Sequence, residues 1–409
     1  MRGKIWWFLI LFIVCFLFLN IHDNIHAAGL HGSMVWGSGS ISTQMGGTGV
    51  AMPLDALTAV WRNPAGLSFF DHTVYDLDFS HVRSNANGKY EYPDGFPISS
   101  WDGTAGERNY PMLGTAFAYQ LKEDEEHRDS RLSFGAGVAI TAGAGDDYTK
   151  ETPMTSFYLC YSAMFSASYR VNENFAIGLG PRINFGVASL GYGHSVKNGI
   201  GYQIGTIYKK NDWSFGASYV SAISIKYARL TDMDLDGSQD EVELEEPQQV
   251  YVGISYSGFD KWILNLGGHW INYAGAALYK DIDWDDLWAY NLGVQYNVLP
   301  RLKLRLGYLY HNQQQKGNPG FDAAGTRNFQ GLLVNNAFFE LWKNSSLPLY
   351  MQHHFGGGFG YDLWDGLSFN LGIAVDLHNG VRYRDSTGDF LVDQDNRLYW
   401  VFGGFRLSY

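Results

Sequence analysis

One acidic stretch of the sequence has the spacing of a calcium-binding loop. The pattern D-x-D-x-D-G-x5-E is matched by Asp232, Asp234, Asp236, Gly237 and Glu243, with Asp240 between them. Such carboxylates and one bidentate Glu can give a hard cation about six or seven oxygens, and the glycine allows a sharp turn. The flanking residues alternate like strands rather than helices, and Gln239 stands where such loops usually carry an apolar residue. Two interpretations therefore remain open here, a calcium site and a solvated acidic loop.

Other residues that could carry chemistry are scattered along the chain. The pair His353-His354 lies near Asp362, and serines are frequent, but no spacing identifies a nucleophile with a base beside it. Neighbouring residues of a strand point to opposite faces, so only one of these two histidines could serve a given site. An enzyme such as a phospholipase or protease is the alternative that the sequence favours least. No catalytic residue and no required cofactor are predicted.

The segments around these residues repeat with a period of two. Between residues 302 and 310, Leu and Tyr side chains alternate with Lys303 and Arg305, and residues 213–219 and 262–269 show the same rhythm. A period of two places the apolar side chains on one face of a strand. Segments of this kind are typical of a β-barrel that crosses a membrane, because lipid offers no partner to unpaired backbone amides. Lys303 and Arg305 are then expected to face the lumen, where they could brace the acidic residue Asp55 or meet a carboxylate of a ligand.

Composition is consistent with an all-β membrane protein. Of 409 residues, 16% are aromatic, 49 are glycine and only 11 are proline. Barrels use Tyr and Trp as interfacial girdles and glycine where strands bend or approach closely. The slightly negative mean hydropathy of −0.18 fits a polar lumen and argues against a helical membrane protein. The formal net charge is −12 without a basic patch, so no nucleic acid partner is expected.

Residues 1–27 have the organisation of a secretory signal peptide. Arg2 and Lys4 precede the apolar run 5–19, and Ile25-His26-Ala27 offers a cleavage site. An uncleaved anchor is the alternative, but a membrane-spanning helix needs about 20 apolar residues. Cleavage would leave Cys160 as the single cysteine, inside an apolar strand, where we expect a buried structural thiol.

After the signal, the chain divides into two parts. Residues 28–70 are small, glycine-rich and poorly alternating, whereas residues 71–409 contain fourteen strand-like segments separated by alternating short and long breaks. This rhythm predicts a fourteen-stranded antiparallel transmembrane β-barrel; a soluble β-sandwich or propeller is the alternative. The last segment ends on the aromatic Tyr409, which resembles the carboxy-terminal signal of barrels inserted by the barrel-assembly machinery. A monomer in contact with outer-membrane lipid is expected.

The glycine-rich part contains the motif Asn63-Pro64-Ala65, which by itself predicts only a turn. Together with the preceding run 44–51 and the fourteen strands, it resembles the FadL/TodX family of Gram-negative outer-membrane transporters for long-chain fatty acids and other hydrophobic compounds. The resemblance extends over the whole mature chain and includes the segments 175–180, 221–227 and 247–256.

The resemblance implies a mechanism. Residues 28–70 would form a hatch inside the barrel, and hydrophobic ligand would bind in the lumen and leave sideways through a gap at a kinked third strand. That strand would be residues 131–141, with the kink at Gly135 and Gly137 and the Asn63-Pro64-Ala65 turn beside it. Passive uptake of a fatty acid-like ligand is the expected function. Related barrels that act as protein-secretion shuttles or assembly partners share the motif and remain the alternative.

The longest predicted loop, residues 312–350, is rich in apolar side chains. An amphipathic helix is expected within it, carrying Phe329, Leu332, Leu333, Phe338, Phe339, Leu341 and Trp342. This segment would either fold over the barrel mouth as a packed lid or capture ligand with Phe329, Leu332, Leu333, Phe338 and Trp342.

Overall fold

The computed structural model describes residues 32–33, 36–37, 39–93, 99–106, 108–121, 131–145, 147–150, 155–190, 194–347 and 349–409. The predicted signal peptide lies outside these residues. Among them, no helix is both long and apolar enough to cross a membrane.

Fourteen long strands form one closed antiparallel sheet. They are β1 (Val74–Glu91), β2 (Arg108–Gln120), β3 (Leu132–Ala144), β4 (Phe157–Arg170), β5 (Phe175–Ser189), β6 (Ser195–Lys210), β7 (Trp213–Val220), β8 (Gln249–Tyr256), β9 (Trp262–Ile271), β10 (Leu287–Leu299), β11 (Leu302–His311), β12 (His353–Trp364), β13 (Leu367–Asp376) and β14 (Leu391–Ser408). Each strand pairs with the next, and β1 pairs with β14 from Val74↔Ser408 to Glu91↔Leu391. The predicted fourteen-stranded barrel is confirmed.

The outer wall of the barrel is apolar. On β11, Leu304 and Leu306 are 45% and 70% exposed, whereas Arg305 between them is 4% exposed. Large side chains on the other strands are exposed in the same way, for example Phe165, Leu179, Val252, Leu266, Tyr290, Ile373 and Val401. Because lipid tails are apolar, such a surface is stable only where it faces a bilayer. The orientation predicted for residues 302–310 is confirmed.

The hatch fills the inside of the barrel. It contains α1 (Ser40–Gln44), α2 (Ala56–Arg62) and a 3₁₀-helix, residues Pro64–Phe69. Every residue of α1 and α2 is buried. The helix α1 packs against β11, β12 and β13, and the 3₁₀-helix packs against β4, β5 and β6 on the other side of the lumen.

Several shorter elements cover the mouth of the barrel, at the end away from the chain's last residue. The cover hairpin consists of strands Ile223–Thr231 and Asp240–Glu246, which pair with each other between β7 and β8. The lid consists of a second hairpin, Thr326–Phe329 with Leu332–Asn335, followed by α3 (Asn336–Ser346). Strands Trp101–Thr104 and Asn379–Arg384 extend the wall beside β1 and β14, and a 3₁₀-turn spans Lys280–Ile282.

The helix predicted within the lid is present but shorter than expected. It begins at Asn336. Asn335 is its N-cap, and the Asn335 side chain accepts a hydrogen bond from the Phe338 N–H at 3.1 Å. Phe329, Leu332 and Leu333 lie in the hairpin instead. The reason is the turn between the two strands, where Gln330 and Gly331 both have positive φ, the geometry of a two-residue hairpin turn.

Candidate functional site

The Asn63-Pro64-Ala65 motif anchors the hatch to the wall. The Asn63 Oδ1 accepts from the Ala65 N–H at 3.2 Å, which closes the turn predicted from the sequence. Its Nδ2 donates to the carbonyls of Val50 at 2.8 Å and Thr206 at 2.9 Å. One amide therefore joins two parts of the hatch to strand β6.

Two wall glycines make room for this turn. A Cβ on Gly178 of β5 would collide with the backbone of Pro64 and Ala65, and one on Gly205 of β6 would collide with the Asn63 side chain. The motif thus lies against β5 and β6 rather than beside β3. The neighbouring hatch residues Val60 and Leu67 are the ones that reach β3.

Gly135 and Gly137 do not mark the kink of the third strand. Both pair regularly with β2, at Ala118 and Ala116, and with β4. A Cβ on Gly135 would lie 2.7 Å from Leu67 Cδ2 and 2.9 Å from Val60 Cγ2, so this glycine serves close hatch packing. The sequence-based position of the kink is therefore corrected by the structure.

The wall is discontinuous a few residues further along β3. Pairing of β3 with β2 stops at Val138↔Thr115, and its register with β4 shifts between Ile140 and Ala142. Beyond that point Ala142 and Gly143 pair with Ser33 and Gly32 of the amino-terminal segment. The first half of β2 is left bonded to β1 alone among the described strands. The hatch segment has taken the place of a wall strand.

A cavity lies at this discontinuity. It is lined by the hatch, by both sides of the gap and by β14: Gly37, Gly39, Ser40, Thr43, Asp78, Phe79, Ser80, Met112, Leu113, Gly114, Ala139, Ile140, Trp400 and Phe402. Most of these side chains are apolar or small. The arrangement places an apolar space between the hatch and the interrupted wall.

Carboxylates of β1 hold the hatch helices beside the cavity. Asp76 Oδ2 accepts from the Ala56 N–H at the start of α2 at 2.5 Å, and its Oδ1 accepts from Arg406 Nε at 2.9 Å. Asp78 Oδ1 accepts from the Ser40 N–H at the start of α1 at 2.8 Å. Helix amino termini offer free N–H groups and a favourable dipole to such anions. These carboxylates fix both hatch helices to one strand.

Asp55 completes this group from the hatch itself. Its Oδ1 accepts from the Thr58 N–H at 2.5 Å, so it is the N-cap of α2. Burial raises the pKa of Asp55, and the nearby carboxylate of Asp76 raises it further. Sequence reasoning missed the role of Asp76 and Asp78. The detectable signal was two acidic residues at alternate positions among the apolar residues that begin β1, Val74–Phe79, which must both face the lumen.

Arg305 braces the hatch, but its hydrogen bond goes to Gln44 of α1 and not to the expected acidic residue Asp55. Its guanidinium donates to Gln44 Oε1 of α1 at 3.1 Å, to Asn370 at 2.8 Å and to Gln295 at 2.6 Å. Lys303 pairs with Asp362 of the neighbouring strand at 3.0 Å. The predicted lumenal orientation of Arg305 is thus confirmed, and its hatch partner is an amide on α1.

The lumen between hatch and mouth is mainly apolar. One continuous buried cluster joins wall, hatch and lid and includes Trp36, Ile140, Phe339, Trp342, Met351, Trp400 and Phe402. Buried polar side chains lie beside this cluster, among them the Glu340–Lys343 ion pair of α3 at 2.7 Å. His311 and His354 stack with ring centroids 4.9 Å apart, and His354 Nδ1 lies 2.9 Å from Asp376 Oδ1. His354 is buried while His353 is exposed, so the pair does point to opposite faces.

The lid residues proposed from the sequence are mostly buried. Phe329 and Trp342 are 0% and 2% exposed and contact each other with ring centroids 5.5 Å apart. Leu332 and Phe338 are partly buried against the same cluster. Leu333 alone of the five is strongly exposed, at 67%. The geometry is that of a packed lid over the lumen.

The acidic loop brings together only part of the predicted metal-binding set. Carboxylate oxygens of Asp232, Asp234 and Asp240 lie within 4.8 Å of one another. Glu243 instead accepts from Ser224 Oγ at 2.5 Å within the cover hairpin. Asp236 accepts from the Ser238 N–H at 2.7 Å, and hydrogen bonds from the side chain and the N–H of Ser238 lower the pKa of Asp236. The EF-hand ligand set is therefore not assembled, because residues 240–246 form a strand that keeps Glu243 beside Lys226.

Cys160 is a free, buried thiol in β4, as expected. Burial disfavours the reactive thiolate form, so we expect this thiol to be unreactive. On β4 it pairs with Ala142 of β3, at the register shift beside the gap.

Comparison with known proteins places this geometry among solved channels. The sequence matches no family model and no curated protein. In structure, the chain resembles a FadL homologue of Pseudomonas aeruginosa with a TM-score of 0.70 and 14% identity, covering 92% of this chain and 99% of that one. It resembles the toluene transporter TodX of Pseudomonas putida with a TM-score of 0.67 and 16% identity, with the same coverage. It also resembles the toluene transporter TbuX of Ralstonia pickettii with a TM-score of 0.61 and 15% identity, covering 92% of this chain and 99% of that one.

Each of these likenesses extends over 92% of this chain. Taken with the closed fourteen-stranded sheet, the helices packed inside it and the discontinuity at β3, they show that this chain has the fold of the FadL and TodX channels.

Proposed function

We propose that this chain is a member of the FadL/TodX family and acts as an outer-membrane channel for passive uptake of hydrophobic small molecules. The observation that carries the proposal is the apolar cavity between the hatch and the interrupted wall at β3. The cavity has a volume of about 40 Å³, below the about 150 Å³ that holds a benzene ring, and Asp78 is part of its lining, so a ligand leaves sideways into lipid only when the hatch moves. Transfer of apolar surface between such environments costs little free energy, so a gradient suffices to drive it.

The ligand class follows from the lining of the route. The lumen cluster and the cavity are built mainly from aromatic and aliphatic side chains, with glycine and serine where the hatch begins. Long-chain fatty acids and monoaromatic hydrocarbons both fit such a lining; the solved relatives named toluene transporters favour the second. We propose that hydrophobic small molecules are the cargo, with monoaromatic hydrocarbons and long-chain fatty acids as the candidate classes.

Entry would start at the mouth, where the lid covers the lumen. The buried contacts of Phe329, Phe338 and Trp342 hold the lid closed, and the exposed Leu333 is the part that a ligand outside would meet first. We propose that ligand enters as the lid moves away from the cover hairpin. Unchanged uptake after deletion of residues 325–345 would contradict this role of the lid.

A bulky side chain in the gap tests the lateral route. Gly114 faces inward at the cavity, and Gly114→Trp would fill it with an indole. Uptake of labelled oleate and labelled toluene would be measured in cells that lack other transporters of this kind. We expect wild type to exceed empty vector for at least one ligand and Gly114→Trp to reduce that uptake several-fold.

The matched control is Ala163→Trp, which adds the same bulk to the sealed wall on β4, where Ala163 pairs regularly with Val138 and Ile183. It should leave uptake unchanged. If wild type does not exceed empty vector for either ligand, the proposed function is wrong; if Gly114→Trp transports like wild type, the lateral route is wrong.

A further inference from the structure

Three carboxylates converge at the tip of the cover hairpin. The oxygens of Asp232, Asp234 and Asp240 lie within 4.8 Å of one another. In the part of the chain that the structure describes, this is the one group of three or more His, Cys, Asp or Glu residues that meets this spacing. The tip connects the two strands of the hairpin, so its conformation determines how the hairpin closes.

The backbone of the tip orients two of these carboxylates. The Gly237 N–H donates to Asp232 Oδ2 at 3.1 Å, and the Met233 N–H donates to Asp240 Oδ2 at 2.7 Å. Each of these carboxylates therefore has one oxygen held by an N–H group. Charge placed in this way is preorganised rather than free to turn into solvent.

The negative charge of the tip is not neutralised by the protein. Asp232 is only 5% exposed, and its Oδ1 is buried without a hydrogen-bond partner. Among the described residues, no Lys, Arg or His forms an ion pair with any of the three carboxylates; Lys226, the basic residue on the hairpin that does pair, lies 4.0 Å from Glu241. An unpaired buried carboxylate oxygen is costly unless a cation binds to it.

We infer that Asp232, Asp234 and Asp240 bind one calcium ion at the mouth of the barrel. Calcium takes oxygen ligands in irregular geometry, and backbone carbonyls and water complete its shell in sites with few carboxylates. Magnesium requires near-ideal octahedral geometry and keeps its water, which an irregular hairpin tip does not select for. This ligand set differs from the sequence motif, because Asp236 and Glu243 are left outside it.

The ion would cross-link the tip and so rigidify the cover hairpin. The apolar face of the hairpin, including Ile223, Tyr227 and Leu244, is part of the buried lumen cluster. Its outer strand contacts the lid through Gln330, which bonds both the N–H and the C=O of Glu243. Calcium would therefore stabilise the closed mouth from outside, independently of what the channel transports.

Calorimetric titration of the full chain in detergent with calcium chloride, and separately with magnesium chloride, tests the site. We expect calcium binding with a Kd of roughly 0.1–1 mM, as in extracellular calcium modules, and weaker magnesium binding. Asp232→Asn and Asp240→Asn each remove one charge while keeping an oxygen that can accept the N–H bond. Each should weaken calcium binding by about tenfold, because affinity depends on the number of charged ligands.

The control variants are Asp236→Asn and Glu243→Gln, which lie in the same motif but outside the three-carboxylate group and should bind calcium like wild type. Heat-modifiable electrophoretic mobility of every variant shows whether the barrel has folded. The inference is overturned by negligible heat with wild type, by unchanged binding in folded Asp232→Asn, or by equal calcium and magnesium affinity. A loss in Glu243→Gln as large as in Asp232→Asn would favour the EF-hand ligand set instead.

Discussion

At the scale of single residues, the hatch depends on a few polar side chains with several partners each. Asn63 joins two hatch segments to β6, Asp76 joins the start of α2 to Arg406, and Arg305 joins α1 to two other strands. Buried polar groups of this kind are stabilising only while all their partners are present. The hatch can therefore be loosened by one substitution without loss of apolar packing.

Asn63→Ala should loosen the hatch selectively. The substitution removes the Nδ2 donor and leaves the buried carbonyls of Val50 and Thr206 without it, at a cost of about 1–3 kcal/mol. Amide hydrogen exchange in residues 56–69 should accelerate, while exchange in the wall strands stays slow. The control is Asn198→Ala on β6, where the side chain is exposed. Unchanged hatch protection in Asn63→Ala would show that the motif is not the anchor.

At the scale of elements, the two covers of the mouth are joined through one side chain. Gln330 sits in the lid turn at positive φ, donates to the Glu243 C=O at 2.9 Å and to Asp281 at 2.8 Å, and accepts from the Glu243 N–H at 2.8 Å. Other polar contacts of the lid are made to the wall and its loops, for example by Tyr383, which donates to Glu340 Oε2 at 2.6 Å. Gln330 therefore sets the register of the lid against the cover hairpin.

Gln330→Asn should separate these two elements. Asparagine tolerates the positive φ of the turn, but its side chain is one methylene too short to keep all three hydrogen bonds. With about 1 kcal/mol lost per hydrogen bond, limited proteolysis within residues 326–335 should become several-fold faster. Leu333→Asn, an exposed position in the same hairpin, should be cut like wild type. Equal protection of Gln330→Asn and wild type would contradict a fastening role for Gln330.

At the scale of the whole molecule, the two faces of the barrel wall must have opposite polarity. The outer face must be apolar, as at Leu306, and the inner face carries the polar groups that hold the hatch, as at Arg305. Among the described wall strands, pairing of β1 with β14 closes the sheet, and pairing of β3 with β2 stops beyond Val138 and leaves an edge at the gap. An edge of a sheet in lipid would leave backbone groups unpaired, and the hatch segment at residues 32–33 covers part of this one.

Leu306→Arg should impair assembly in the membrane. Leu306 is 70% exposed on the outer wall, and an arginine near the bilayer midplane costs about 2–4 kcal/mol. The amount of heat-modifiable barrel in purified outer membranes should fall. Leu333→Arg, on an equally exposed leucine of the lid, should assemble normally because the lid lies outside the bilayer. Normal yield of Leu306→Arg would mean that β11 does not face lipid.

The sequence by itself determined the local properties of this protein. Alternation along residues 302–310 depends only on the two-residue period of a strand, so the direction of Arg305 could be predicted. Repetition of this pattern between short and long breaks predicted the barrel and its strand number. The turn at Asn63 could be predicted for the same reason, because an asparagine bonding a nearby backbone N–H is a local event.

Only the tertiary structure decided which distant residues meet. The meeting of Asp76 with α2, the opening beyond Val138 rather than at Gly135, and the exclusion of Glu243 from the acidic group each depend on register between separate segments. A motif gives the spacing of residues along the chain, whereas strand register and barrel closure depend on pairing between segments that are distant in sequence. Gly135 shows this most clearly. The sequence predicted a kink at this position, whereas the structure shows that a glycine is needed because the hatch side chain of Leu67 packs against it.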